Sequence, residues 1–273
     1  MHFAIEVVNL GTYSDPRQVL RLAEAAEASG WEGIFVWDHL GYTWGAAAGD
    51  PWVILSAVAA RTERLRLGVS VAPLPRYRPH VLALTLVSLD LLSGGRVILG
   101  AGLGAMMEEF SAFGEDPSPR RRAAMADEFL ALIERLHSGE PVTHRGQYYT
   151  FEGLTFCPLP VQQPRIPVWI GGESSGALRR AARWDGWVVG GTDETGQMVK
   201  TPEALAEQVA TIRQQRNSPA PFDVAMTGVS DPGQADRPRS YAEAGLTWWL
   251  ESLHGYRGSP EEMLQRVRAG PPL

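Results

Sequence analysis

Eight apolar runs of strand length punctuate the chain, at 3–8, 33–37, 67–72, 97–99, 168–170, 187–189, 223–227 and 247–251. Each is followed by a stretch with helical spacing of its apolar residues. Asp15-Pro16 and Asp50-Pro51 pair a capping side chain with a proline suited to the first helical position. Leu20, Ala23 and Ala26 then mark the buried stripe of the first helix, and Gly30 stops it. Residues 79–92 form another helix, closed by Gly94-Gly95. Phe129, Leu132, Ile133 and Leu136 stripe a helix over 121–138. Ser174 or Ser175 caps the next, and further helices are expected over 202–215, around 241–244 and over 260–269.

This strand–helix alternation predicts an α/β fold, a single (β/α)8 TIM barrel spanning 1–273, with an open doubly wound sheet as the rival. Residues 139–167 break the rhythm: they are Pro-rich and aromatic, and read as an insertion between the fourth and fifth units. In parallel α/β folds ligands sit beyond the carboxyl ends of the strands. That places a rim by position: Asn9, Asp38 and His39, then 70–76, 100–104, 171–175 and 190–193, and finally Glu251 with His254.

Composition narrows the chemistry. The 273 residues are 44% hydrophobic and 21% charged with a net charge of −6, an ordinary globular balance that does not suit a nucleic-acid binder. The one arginine cluster, Arg120-Arg121-Arg122, is flanked by Glu115, Asp116, Asp127 and Glu128, and reads as a solvated helix start rather than an anion site. A single cysteine, Cys157, leaves no internal disulfide and no thiolate metal cluster. The start lacks a signal-peptide pattern, and no apolar run reaches membrane-spanning length, so a cytoplasmic protein is expected.

His39 beside Asp38 could act as a base, as a donor to a ligand or as a surface pair; its place at a strand end, followed by Trp44, favours a functional role. The six histidines show no metal-ligand spacing, and no GxSxG elbow exists. The glycines at 100, 102 and 104 match a dinucleotide fingerprint only loosely, but they and the pairs at 171–172 and 190–191 let backbone approach a flat ring or a phosphate. A cradle with few catalytic groups fits a cofactor that carries the hard chemistry.

Trp37-Asp38-His39, LGVSVAPLPRYRP (67–79), LDLLSGGRVILGAGLG (89–104), PRIPVWIGG (164–172), AARWDGW (181–187) and AGPP (269–272) together resemble the bacterial luciferase-like flavin and deazaflavin oxidoreductases. That resemblance implies a barrel binding FMN or coenzyme F420. The activity would be reduced-flavin monooxygenation or F420 hydride transfer on a small organic molecule. It puts Asp38 and His39 beside the ring, and a non-proline cis peptide at Ser70-Val71. Gly102 and Gly104 would line the pocket, and Gly171, Gly172, Gly190, Gly191 and Thr192 would hold the phosphate. Trp37, Trp44 and Trp52 would wall the substrate, with 139–167 covering the site. The sugar-phosphate dehydrogenases of the family carry a glutamate directly after the strand-four glycines; here that position is Ala105, with Glu108 and Glu109 further on, and Glu251 could substitute. A homodimer is implied, compatible with exposed aromatics such as Trp31, and a flavin reductase or F420 reductase would supply reduced cofactor. A non-redox barrel enzyme on a phosphorylated small molecule and a non-catalytic flavin-binding protein are the alternatives.

Overall fold

The computed structural model describes residues 1–41, 45–193 and 195–273. Its parallel strands are β1 (His2–Val7), β2 (Gly33–Val36), β3 (Arg66–Pro73) and β4 (Val97–Gly102), then β7 (Val168–Gly171), β8 (Gly186–Gly190), β9 (Asp223–Gly228) and β10 (Trp248–Leu253). They close in the order β1-β10-β9-β8-β7-β4-β3-β2. Helices α1 (Pro16–Ala28), α2 (Pro51–Ala59), α3 (Pro79–Ser93), α4 (Glu108–Ser111) and α5 (Pro119–Leu136) flank the first half. The second half carries α6 (Ser175–Ala181), α7 (Pro202–Gln215), α8 (Asp236–Glu243) and α9 (Pro260–Arg268). Local chemistry sets the helix starts: Asp15 accepts from the Arg17 N–H, and Asp50 from those of Trp52 and Val53.

The core has two compartments. Leucines, isoleucines and valines fill the space between strands and helices, while Phe35, Trp169 and Trp248 occupy the barrel interior with small partners such as Ala4 and Ala225. Phe35 stacks on Trp169 at 5.1 Å between ring centroids. Glycines in the strands make the room: a Cβ on Gly68 would lie 2.4 Å from the Phe35 ring, and one on Gly186 would lie 2.4 Å from Trp169. Large side chains opposite glycines fill the interior without overpacking it.

Two expectations change here. The fourth strand runs on to Gly102, so Gly100 and Gly102 are strand residues rather than a loop. The β3–β4 register shifts between Val69 and Ala72, and a Cβ at Gly100 or Gly102 would meet the Val69 carbonyl at 2.0 Å or Val71 at 2.3 Å. Those glycines accommodate the bulge. The segment 139–167 contains an antiparallel hairpin of β5 (Val142–Arg145) and β6 (Thr150–Leu154). Glu128 of α5 accepts from the N–H groups of Gln147, Tyr148 and Tyr149, and Gln162 bonds Asp90 of α3 and the Val97 carbonyl. The segment therefore descends the outer wall toward the amino end of β4.

Candidate active site

A cavity of about 290 Å³ opens at the carboxyl ends of the barrel strands. Trp37, Asp38, His39, Ser70, Val71, Gly104, Gly171, Gly172 and Gly190 all line it, so most of the expected site converges. Ala105 lines it too. The Ser70–Val71 peptide is cis. Val71 presents its side chain between Gly102 and Gly171, each of which would clash with it if given a Cβ. Gly190 differs, because a Cβ there would meet nothing within 4 Å. Its missing side chain leaves open space in the wall. Glu173, at the same edge, is held by Lys200 Nζ at 2.6 Å and by Gln208 Nε2 at 3.1 Å.

Other expected residues lie apart. Gly102 packs behind Val71, and a Cβ on Gly191 would sit 2.3 Å from the Thr227 carbonyl; neither glycine lines the cavity. Thr192 forms an isolated bridge with Met198. Trp52 is buried and donates its indole N–H to the Tyr77 hydroxyl at 3.0 Å, outside the cavity wall. Trp44 lies outside the described residues. Glu251 is fully buried and ion-paired with Arg257 and Arg266, and it accepts from the Ser230 hydroxyl at 2.6 Å and the Trp249 indole at 2.8 Å. These partners hold it within the barrel wall and against the segment 257–266, and it does not line the cavity. Trp31 is likewise buried, donating to the Val267 carbonyl at 2.8 Å, and offers no exposed aromatic face. None of residues 139–167 lines the mouth cavity.

His39 is set by residues from distant segments, one of them in α4. Its Nδ1 lies 3.1 Å from Glu109 Oε2, and the other Glu109 oxygen accepts from the Leu40 N–H at 2.7 Å. Arg76 donates to Glu109 at 2.9 Å and also pairs with Asp38, whose second oxygen accepts from the Tyr77 hydroxyl at 2.6 Å. Asn9, expected on the rim, is fully buried and ties the His39 carbonyl (3.0 Å) to that of Gly49 (2.7 Å). Glu109 already accepts from Arg76 and the Leu40 N–H, so toward it the imidazole carries its proton on Nδ1. Burial lowers the His39 pKa against the pull of Glu109, and raises that of Asp38 to about 6 against Arg76 and Tyr77. Both oxygens of Asp38 are engaged in holding Arg76 and Tyr77, so it positions the cluster.

Glu6 was not singled out from the sequence. It points from β1 into the cavity, 1% exposed, with the Thr227 hydroxyl donating at 2.9 Å and Ser70 and Trp37 as further donors. Burial pushes its pKa up to about 6, more than these hydrogen bonds lower it. The signal was available: Glu6 is the one charged residue in the apolar run FAIEVV. Arg76 fell within the expected rim at 70–76 and Glu109 just past the strand-four glycines, but their pairing with His39 had no signal, because only folding brings these segments together. Among the described residues no group of three or more His, Cys, Asp or Glu could hold a metal ion.

An F420-dependent glucose-6-phosphate dehydrogenase of Nakamurella multipartita is 37% identical over 174 residues, covering 62% of this chain and 50% of that one. The chain thus spans about half the length of this curated relative. A monooxygenase from Streptomyces bottropensis superposes with a TM-score of 0.80 at 22% identity over 98% of this chain and 97% of that one. An F420-dependent secondary alcohol dehydrogenase, solved with an F420–acetone adduct, does so at 0.81 and 18% identity, covering 99% and 98%. Both likenesses extend the shared barrel. The luciferase-like monooxygenase family model matches residues 2–263, nearly the whole chain, and this protein belongs to that family.

Proposed function

We propose that this protein is a flavin- or deazaflavin-dependent oxidoreductase acting on a small organic molecule, with coenzyme F420 favoured over FMN by the dehydrogenase relative. The observation that carries the reading is the mouth cavity, which sets the Val71 side chain and the open Gly190 wall beside two proton-holding groups, His39 and Glu6. The fit is physical. Val71 offers an apolar surface to a flat ring, and Gly190 with the Gly171-Gly172 backbone offers close approach along the adjoining wall.

When bound, such a cofactor supplies hydride exchange or dioxygen activation. The protein's part is to bind, orient and manage protons. His39, oriented by Glu109 at Nδ1, exchanges a proton with a substrate hydroxyl or carbonyl. Glu6 holds or releases a second proton within the same cavity. Ala105 brings no acid to the site, which separates it from the sugar-phosphate dehydrogenases that the sequence resembles.

We also propose a homodimer, supplied with reduced cofactor by a separate flavin or F420 reductase. Val53 of α2 and Val81, Leu84, Leu91 and Leu92 of α3 are exposed, and the two helices are neighbours in the outer layer. Such apolar surface suits a self-complementary interface. The deciding experiment is titration of purified protein with F420 and with FMN, followed by absorbance and fluorescence. Saturable binding of either supports the reading, with F420 expected to bind more tightly; no spectral change with both would end it.

A further inference from the structure

One member of the arginine cluster in the first turn of α5 departs from the expected solvated helix start. Arg120 and Arg121 are exposed, but Arg122 is only 4% exposed. Its guanidinium stacks 4.5 Å from the Phe110 ring centroid, and Nη1 donates to the Leu103 and Gly104 carbonyls at 2.9 and 2.7 Å. Nε has no hydrogen-bond partner, and Arg122 forms no ion pair among the described residues. A buried cation without a carboxylate is costly unless something supplies the counter-charge.

Arg122 lines a second cavity of about 360 Å³, with Arg78, Arg121 and Tyr149 in the same wall. Arg78 also lacks a carboxylate partner among the described residues, and Arg121 reaches Asp116 only at 3.7 Å. The Tyr149 hydroxyl is buried without a partner. Glu115 and Asp116 line the cavity too, so three arginines beyond the engaged Arg76 face two carboxylates. This cavity shares Arg76, Tyr77 and Glu115 with a neighbouring one, which in turn shares Asp38 and His39 with the barrel mouth. A run of adjoining cavities therefore leads from the barrel mouth to the arginines.

We infer that the cavity of Arg78, Arg121 and Arg122 is an oxyanion site that takes a phosphate or carboxylate group of a small molecule. Two cations without carboxylate partners give it the charge, and guanidinium geometry suits either anion. Resting on the redox reading above, its natural occupant is the anionic end of the substrate, whose reacting carbon sits at His39.

The test needs no flavin. Inorganic phosphate is titrated into the protein by calorimetry and thermal shift, with chloride holding ionic strength constant. Saturable binding is expected, weakened about tenfold or more in the double variant R78A/R121A and unchanged in R120A, whose side chain lies outside the cavity. If the double variant melts lower in chloride, R78Q alone is used, with about threefold weakening expected. Equal affinity in all variants, or a response that follows ionic strength alone, overturns the site. Repeating the titration with saturating F420 separates the sources. Undiminished phosphate binding assigns the site to the substrate, and mutual exclusion overturns that assignment in favour of the cofactor's own phosphate. Because the first arm runs without cofactor, its failure is distinct from failure of the redox reading.

Discussion

The imidazole of His39 and the carboxylate of Glu109 meet at 3.1 Å, Nδ1 to Oε2, although 70 positions separate them in the chain. Glu109 is itself fixed by Arg76 and the Leu40 N–H, so the histidine is held in one tautomer and one orientation. His39→Ala is expected to lower turnover about tenfold or more, at least about 1.4 kcal/mol of barrier, with little change in melting temperature. Since burial lowers the His39 pKa, the acid limb of kcat/KM should fall below the usual histidine range around 6.5. An unchanged rate in the alanine variant, or an acid limb above pH 7, would remove His39 from the chemistry.

Glu109→Gln should behave differently from His39→Ala. It keeps the shape but removes the charge that Arg76 faces, and it no longer enforces the Nδ1-protonated tautomer. A loss of about 1–3 kcal/mol in stability should accompany the loss of turnover. Chemical denaturation alongside steady-state kinetics reads both effects; a variant with full stability and full turnover would contradict the assignment.

Glu6 links stability to pH. Its folded pKa, about 6, is raised above the ordinary value of 4.5, so the native state holds the proton more tightly than the unfolded chain does. The stabilisation is present below pH 4.5 and disappears as pH rises through 6. Glu6→Gln keeps a hydrogen-bonding amide without the buried charge. It is expected to be about 2 kcal/mol more stable than the parent at pH 7.5, with the difference vanishing near pH 4.5. Denaturation midpoints across that range decide it; a constant difference would show that Glu6 does not titrate there.

Gly190 and Gly102 should separate binding from folding. A side chain at Gly190 meets open space, whereas one at Gly102 meets Val71 at 2.3 Å. Gly190→Val is therefore expected to fold with a near-parental melting temperature and to bind flavin about tenfold or more weakly. Gly102→Ala should cost about 1–3 kcal/mol of stability through overpacking. Equal cofactor affinity in Gly190→Val would show that this wall does not contact the cofactor.

Glu251 is expected to matter for folding alone. Replacing it with alanine strands the buried cations Arg257 and Arg266 and should destabilise the protein by about 3–5 kcal/mol. At temperatures where the variant stays folded, kcat should match the parent, and a kcat loss without destabilisation would return Glu251 to the active site.

The barrel could be read from the sequence because its information is local. An apolar run of strand length, a capping side chain or a glycine stop acts within a few positions, and eight repetitions of the same unit leave few topologies. Asp38, His39 and Val71 were legible for a related reason, since each sits at the end of a strand and the fold puts strand ends together. Glu251 sits at a strand end as well, yet two arginines from the segment after it claim the carboxylate. Glu6 lay inside a strand and Glu109 in the short helix α4, with nothing nearby in the sequence to declare their partners. Arg122 stood in a polar run that looked like surface until Phe110 and the Leu103 carbonyl covered it. The sequence by itself determined the order and periodicity of the elements, and with them the rim. Which rim side chains meet and which lose their solvent was decided by packing between distant segments, because burial and hydrogen-bond pairing exist only once those segments are in contact.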